Sequence, residues 1–210
     1  MAEPDWVVWA RRLAAIAQNG LEFSADPYDR RRYQEIREIA GAMLAAGSGA
    51  APEAILPHLA ADRGYATPKV DVRGVCFDGP DGERVLLVRE RDDGLWTLPG
   101  GWADTNDLPS AAVEREVAEE AGYRVRAARL LACWDRTLQD GATPYPWRVY
   151  KLVFGCEVLG QVERNDDETS EVGWFPVDDL PPLSAGRITA TQITHLATLH
   201  SDPLAPTAFH

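Results

Sequence analysis

The first third of the chain repeats apolar side chains every three or four residues, which is the period of a helix that buries one face. The first of these runs predicts a helix over 6–17, with Gly20 as its end. Its apolar stripe consists of Trp6, Trp9, Leu13, Ile16 and Ala17. A stripe of this kind is typical of a helix that packs against other helices.

A second helix is predicted to begin at 26–27, where an Asp can cap the N-terminus and a Pro suits the first helical position. It continues through 28–46 and ends in the Gly- and Pro-containing run 47–52. Residues 53–61 predict a third, short helix in spite of Pro57. No cluster of side chains that would carry chemistry stands out in this helical part.

From residue 66 onward, short apolar runs bounded by turn residues predict strands. Two of them, 69–78 and 84–89, are predicted to form a hairpin through the Gly-Pro-Asp-Gly turn 79–82. The remaining predicted elements are strands at 95–98, 124–136, 147–158 and 171–176 and a helix at 109–121. The change of pattern predicts two domains, a helical N-terminal domain 1–66 and a second domain 67–210.

The composition is that of a globular protein, since 45% of the residues are hydrophobic and 26% are charged. The formal net charge of −12 argues against a stable complex with nucleic acid, which relies on clustered Lys and Arg. An acidic site can still hold divalent cations, which in turn contact phosphate oxygens. With no apolar run of membrane-spanning length and no signal-like N-terminus, we expect a cytoplasmic protein without a membrane partner.

Three cysteines, Cys76, Cys133 and Cys156, are widely spaced within strand-like runs. Their spacing pairs none of them for a metal or a disulfide, so we expect buried free thiols.

The candidate chemistry lies on the predicted helix that Pro109 opens and Gly122 closes. Glu116, Glu119 and Glu120 are spaced i, i+3 and i+4 and therefore share one face of this helix. Like charges at this spacing destabilise a helix, and a hard divalent cation such as Mg²⁺ or Mn²⁺ would resolve the repulsion. The alternative is a solvated acidic surface.

The spacing around this helix resembles the signature of the Nudix hydrolases, G-x5-E-x7-R-E-U-x-E-E-x-G-U, in which U is apolar. Here Gly101 is followed by five residues, Asp107, seven residues and the run 115–123. Asp107 replaces the Glu of the pattern, and Tyr123 is aromatic where the pattern is usually aliphatic. The resemblance implies an α/β fold, a Nudix-type α/β/α sandwich with a mixed sheet, preceded by a small all-helical N-terminal domain.

The resemblance also implies roles for individual residues, as follows. The Gly100 carbonyl, Glu116, Glu119 and Glu120 would coordinate one or more Mg²⁺ ions, with Mn²⁺ as an alternative. One of these carboxylates would position or deprotonate the attacking water, and Arg115 would hold the carboxylates in place.

A further carboxylate is expected from the loop 165–171, as in many family members. Glu168 is the candidate for an additional metal ligand or base, and Glu171 is its competitor. Asp107 is one methylene shorter than Glu, so we expect an altered contact with the metal shell without loss of activity.

Several softer stretches resemble a Nudix subgroup with a helical extension that acts on nucleoside diphosphates linked to another moiety. They are 13–21, 23–30, 67–73 and 168–171. The resemblance implies an ADP-ribose pyrophosphatase, with CDP-choline pyrophosphatase or nucleoside triphosphate hydrolase as alternatives. A non-catalytic nucleotide sensor is disfavoured because Arg115 and the three helical glutamates are all present.

The substrate's base could stack on an aromatic side chain, for which Trp134, Tyr145 and Trp147 are candidates, although such residues are more often structural. The helical extension could cap the cleft, or its Trp6/Trp9 stripe could form a homodimer interface.

Overall fold

The computed structural model describes residues 4–49, 51–79, 81–139, 145–165 and 167–209. The described chain forms two compact units. The first contains the residues up to 68 together with 145–148, and the second contains 69–139 and the residues from 149 onward. The two domains, 1–66 and 67–210, stay a prediction; the compact units divide the chain after 68 and group 145–148 with the helices.

The first unit consists of three helices, α1 Asp5–Phe23, α2 Pro27–Ser48 and α3 Pro52–Ala61. The Asp26 carboxylate caps α2 by accepting hydrogen bonds from the backbone N–H groups of Tyr28 and Asp29, at 2.8 and 2.9 Å. The core residues of the unit come from all three helices and are Ala10, Leu44, Ala45, Ile55 and Leu59.

Helix α1 does not end at Gly20, contrary to the sequence prediction. A Cβ at this position would lie 2.4 Å from the ring of Tyr33 on α2, so the glycine allows two helices to approach closely. The predicted stripe of α1 is also divided. Trp6 packs inward against Gly47, whereas Trp9 is 56% exposed.

In the described residues, the second unit contains eight strands and two α-helices, besides a short 3₁₀ helix at Arg136–Leu138. In chain order these are β1 Lys69–Val75, β2 Phe77–Asp78, β3 Arg84–Glu90, β4 Trp96–Thr97, α4 Pro109–Ala121, β5 Tyr123–Asp135, β6 Val149–Gln161, β7 Thr169–Pro176, α5 Ala190–Ser201 and β8 Ala208–Phe209. One sheet has the order β1-β6-β5-β8 and is mixed, because β1 runs parallel to β6 while β5 runs antiparallel to it. In the other sheet, β3 pairs with β2, β4 and β7.

The predicted hairpin between 69–78 and 84–89 is only partly correct. Only its end, β2, pairs with β3, whereas β1 belongs to the other sheet. The chain changes sheets at Cys76, where Val75 faces one core cluster and Cys76 faces the other. Periodicity could not show this, because the choice of partner strand depends on residues 149–155, far along the chain.

A helix covers each side of the strands. Helix α4 packs Val113 and Val117 into one core cluster, and α5 packs Ile193 and Leu196 into the other. This arrangement confirms the predicted α/β/α sandwich, and α4 spans the residues predicted for it, 109–121. Helix α5 was not predicted, although Thr189 and Gln192 form a capping box at its start.

Two of the three free thiols, Cys76 and Cys156, are buried as expected, and Cys133 is half-buried. Among the described residues, no helix has the length and apolar character that a membrane crossing would need.

Lys151 on β6 is an ionisable residue buried in the second unit. Its ammonium group donates to the Gln139 side chain at 3.3 Å and to the Arg187 backbone carbonyl. The pKa of Lys151 is lowered to about 7, chiefly by burial and also by the charges of Arg73, Arg136 and Arg187, whereas Asp71 opposes the shift. The folded protein therefore binds this proton more weakly than the unfolded chain does.

We predict that the contribution of Lys151 to wild-type stability rises with pH above about 7, because at this lysine the unfolded chain then holds a proton that the folded protein has lost. Between about pH 7 and about pH 9.5 this contribution should raise the melting temperature by about 5 °C relative to a protein that lacks the lysine, since both proteins share the opposing titration of Glu120. Lys151→Met should flatten this increase in thermal unfolding experiments. Lys69→Met is the control and should retain it, whereas an equal pH dependence in wild type and Lys151→Met would contradict the assignment.

Candidate active site

Helix α4 brings its three glutamates to one side but to different depths. Pro109 occupies its first turn, and Gly122 ends it with a left-handed φ of 70°. Glu116 and Glu120 are buried, with 9% and 6% exposure, whereas Glu119 is exposed. The predicted carboxylate face is therefore two buried acids with a third near solvent.

Arg115 connects the acids of this region through its guanidinium group. One terminal nitrogen donates to Glu116 at 2.8 Å and to Glu119 at 3.3 Å. The other donates to Asp107 at 3.1 Å and approaches Asp104 at 3.5 Å. The pKa of Arg115 is raised above its ordinary value, chiefly by the hydrogen bond to Asp107. The shorter Asp107 side chain thus reaches the guanidinium, where it helps to hold Arg115.

The turn before α4 lies against the two buried glutamates. The Gly100 backbone N–H donates to the Glu120 carboxylate at 2.8 Å. A Cβ at Gly100 would lie 2.1 Å from the Val72 carbonyl oxygen, and the φ of 141° is also one that favours glycine. A Cβ at Gly101 would lie 3.1 Å from the Glu116 carboxylate. Gly100 is therefore required for the close approach of the turn to β1, and Gly101 lets the turn lie close to the Glu116 carboxylate.

The negative charges of the two buried glutamates, Glu116 and Glu120, are only partly balanced by nearby positive groups. The pKa of Glu120 is raised to about 8, chiefly by burial and also by the charges of Glu116 and Glu90, while Arg73 and the Gly100 N–H oppose the shift. Burial likewise raises the pKa of Glu116, against the opposing effect of Arg115. Additional positive charge is therefore favoured here.

A loop that precedes β7 is hydrogen-bonded to the C-terminal end of α4. The Asn165 N–H donates to the Glu119 carbonyl at 2.8 Å, and the Thr169 hydroxyl donates to the Glu120 carbonyl at 3.0 Å. The Glu168 carbonyl accepts from the Arg91 N–H at 3.0 Å. The backbone on both sides of the Glu168 side chain is thus fixed relative to other elements of the site.

The two candidate loop carboxylates differ in their contacts. Glu171 forms an ion pair with Arg89 at 2.5 Å, and Arg89 also donates to the Gly94 carbonyl. The Glu168 carboxylate is exposed and has no ion pair with any residue in the described ranges. Glu168 is therefore the more available of the two.

The predicted metal ligands are not arranged as a ready-made cation site. In the part of the chain that the structure describes, no three His, Cys, Asp or Glu side chains converge closely enough to hold a metal ion. Arg115 engages Glu116 and Glu119, and the Gly100 N–H engages Glu120. The donor set nevertheless fits a hard divalent cation, because it consists of carboxylate oxygens and Gly101 leaves space beside Glu116.

Sequence reasoning missed two charged residues beside Glu120. Arg73 is buried on β1, and Glu90 lies at the end of β3. Both are among the charges that act on Glu120. The signal in the sequence was the alternation of Asp71 and Arg73 within an otherwise apolar strand, which indicates a polar pair facing inward.

The aromatic candidates occupy different environments. Trp134 is 4% exposed and belongs to the core packed on α5, so it is a packing residue. Tyr145 and Trp147 lie in the first unit, where their rings meet edge to face at 5.6 Å. Another aromatic residue, Trp102, is 50% exposed and forms a β-bridge with Asp71, next to the glycine turn.

The α/β/α fold and the glutamate-bearing helix define a hydrolase of the class that acts on phosphate anhydrides. Residues 68–196 match the family model of the NUDIX domain, and residues 4–59 match that of a UDP-X-like, N-terminal oligomerisation domain. The chain therefore belongs to the Nudix hydrolase family, as its signature predicted. Enzymes of this family generally need divalent metal cations.

Two of three similar proteins match nearly the whole chain, and the third matches about two thirds of it. The chain is 39% identical to a Bacillus subtilis (strain 168) protein named "Putative ADP-ribose pyrophosphatase YjhB", over 99% of this chain and 98% of that protein. A crystal structure of an ADP-ribose pyrophosphatase from Streptococcus suis 89-1591 is 38% identical, with a TM-score of 0.61, and covers 69% of this chain and 100% of its own. A crystal structure of a UDP-X diphosphatase is 32% identical, with a TM-score of 0.62, and covers 100% of both chains.

Proposed function

We propose that this chain hydrolyses the diphosphate of nucleoside diphosphates linked to another moiety, with ADP-ribose as the first candidate substrate. The observation that carries the proposal is the pair of buried glutamates, Glu116 and Glu120, held against the Gly100–Gly101 turn. The identity with proteins named ADP-ribose pyrophosphatase supports the choice of substrate.

The proposed cofactor is Mg²⁺, with Mn²⁺ as an alternative. Glu116, Glu119, Glu120, Glu168 and the Gly100 carbonyl would hold it. When bound, such a cation lowers the pKa of water and stabilises charge on the diphosphate oxygens. Glu119 and Glu168 would have to turn toward the buried pair, which their exposure allows.

The protein's own groups would then prepare the site for attack on phosphorus. Arg115 keeps Glu116 and Glu119 oriented through the hydrogen bonds described above. The Gly100 N–H fixes one oxygen of Glu120 and leaves the other for a ligand or a water. A carboxylate of this group, with Glu168 as a candidate base, would position the water and accept its proton.

UDP-linked diphosphates form a second candidate class, because the UDP-X diphosphatase structure matches the whole chain, including its helical extension. CDP-choline and nucleoside triphosphates stay as alternatives from the sequence. A nucleotide sensor stays the least favoured alternative, because every acid of the signature helix and Arg115 are retained. The location of the protein is a separate question, and a cytoplasmic location stays a prediction from the sequence.

We predict turnover of at least one substrate in a panel of ADP-ribose, a UDP-sugar, CDP-choline and nucleoside triphosphates, each assayed with Mg²⁺ and with Mn²⁺. Glu120→Gln should lower kcat by about 10²–10³-fold, since it removes a charged ligand, without lowering the melting temperature. Glu114→Gln is the matched control on the same helix, because the amide oxygen can still accept from the Ala127 N–H. No product from any substrate would refute the enzyme assignment.

A second prediction distinguishes the roles of the two loop carboxylates, Glu168 and Glu171. It compares the kcat of one variant of each, measured from product formation on the same substrate. Glu168→Gln should lower kcat by at least about tenfold, whereas Glu171→Gln should change it by less than about threefold, because Glu171 is engaged with Arg89. Thermal unfolding of both variants checks that neither loses its fold. The reverse order of the two effects would assign the role to Glu171.

We further propose that α1 forms a homodimer interface. Trp9, Ile16 and Phe23 recur every seven residues along α1 and are 56%, 52% and 69% exposed. Such a stripe of large apolar side chains is typical of a protein–protein contact. The match of residues 4–59 to an oligomerisation domain supports this. Trp6, which packs inward, is not part of the proposed surface.

The measurement is the molar mass by light scattering after gel filtration. Wild type should have twice the chain mass of 23.1 kDa. The double variant Trp9→Glu/Phe23→Glu should shift to the monomer mass, because it buries charge in the contact. Tyr65→Glu changes another exposed aromatic residue of the same unit and should leave the dimer intact. A wild-type mass of one chain would exclude the dimer.

A further inference from the structure

Asp71 and Arg73 form a buried ion pair on one face of β1. Two guanidinium nitrogens of Arg73 donate to the two carboxylate oxygens of Asp71, at 2.8 and 3.2 Å. Both residues are less than a tenth exposed. Burying two charges costs more than packing two apolar side chains of similar size, so stability alone is a weak reason for this pair.

The remaining terminal nitrogen of Arg73 extends from the pair to the turn before α4. It donates to the Leu98 carbonyl at 3.1 Å. All three nitrogens of the guanidinium group are thus engaged, two by Asp71 and one by the backbone. A fork of this kind fixes direction as well as distance, which a single ammonium group could not do.

The stem of Arg73 also lies against Gly100. A Cβ on Gly100 would be 2.9 Å from the Arg73 Cα and 3.0 Å from its Cδ. On either side of this contact, the turn is hydrogen-bonded to β1, from the Gly74 N–H to the Pro99 carbonyl and from the Val72 N–H to the Gly101 carbonyl. The turn that presents its N–H to Glu120 is therefore bound to β1 by backbone bonds and by Arg73.

We propose that Arg73, oriented by Asp71, is a positioning residue that sets the turn 98–101 and, through the Gly100 N–H, the Glu120 carboxylate for cation binding. It does not touch the substrate. The inference rests on the proposed function and adds to it a second arginine, which is buried and contacts groups that Arg115 does not. Arg115 holds Glu116 and Glu119, whereas Arg73 acts on Gly100 and Glu120.

The test measures Mn²⁺ affinity by electron paramagnetic resonance without any substrate, together with kcat and KM on a substrate that wild type hydrolyses. Arg73→Lys keeps a positive charge but loses the fork, and Arg73→Met keeps much of the stem. Both should weaken Mn²⁺ binding by roughly 10–100-fold and lower kcat, with KM for the substrate changed little. Arg126→Lys, in an exposed ion pair with Glu157, is the control and should match wild type.

A double-mutant cycle tests whether Arg73 affects Mn²⁺ binding through Glu120. If Arg73 acts through Glu120, then Arg73→Lys should weaken Mn²⁺ binding much less in a Glu120→Gln background than in wild type. Equal effects in both backgrounds, or wild-type Mn²⁺ affinity in folded Arg73→Lys, would overturn the proposal. If Arg73→Met fails to fold, Arg73→Lys decides alone.

The two proposals can fail separately. A wild-type protein that turns over no substrate, but whose Mn²⁺ affinity falls in Arg73→Lys, would refute the proposed reaction and retain the positioning role. Normal turnover and Mn²⁺ affinity in folded Arg73→Lys would refute the positioning role and retain the reaction.

Discussion

The structure depends on the burial of two like-charged carboxylates one turn apart on a single helix. Glu116 and Glu120 repel each other and are both removed from water, so each needs a compensating group at a fixed place. Arg115 supplies it to Glu116 from the solvent side, and Gly100 supplies a backbone N–H to Glu120. The compensation is incomplete, and this makes the helix receptive to a cation.

The burial of these two carboxylates restricts the sequence and the conformation of the turn that lies beside them. The turn lies beside the carboxylates with glycine at 100, because a Cβ there would collide with the Val72 carbonyl on β1, and with glycine at 101, because a Cβ there would crowd the Glu116 carboxylate. It can stay there only if another element holds it, and β1 does so by backbone hydrogen bonds on both sides of Gly100. Because β1 pairs with β6 in a sheet covered on one side by α4, the turn and the acids share one rigid support.

The sequence predicted those parts of the site whose signals are local. Helix α4 was predictable because its period, its initial proline and its final glycine all lie within 109–122. Arg73 was not, since its importance arises from contacts with Leu98 and Gly100, which only the folded sheet brings near. The same reason explains Gly20, where a residue read as a helix end instead serves a contact with Tyr33.

The loop before β7 shows how one set of hydrogen bonds can serve both fold and site. The last carbonyls of a helix lack partners within the helix and must find them elsewhere. In α4, the carbonyl of Glu119 is satisfied by Asn165 and that of Glu120 by Thr169. These bonds complete the helix end, and because Glu168 immediately precedes Thr169, they also bring its backbone to the helix that carries the acids. The position of the candidate fifth ligand is therefore a consequence of ending the helix, and no separate element is needed to supply it.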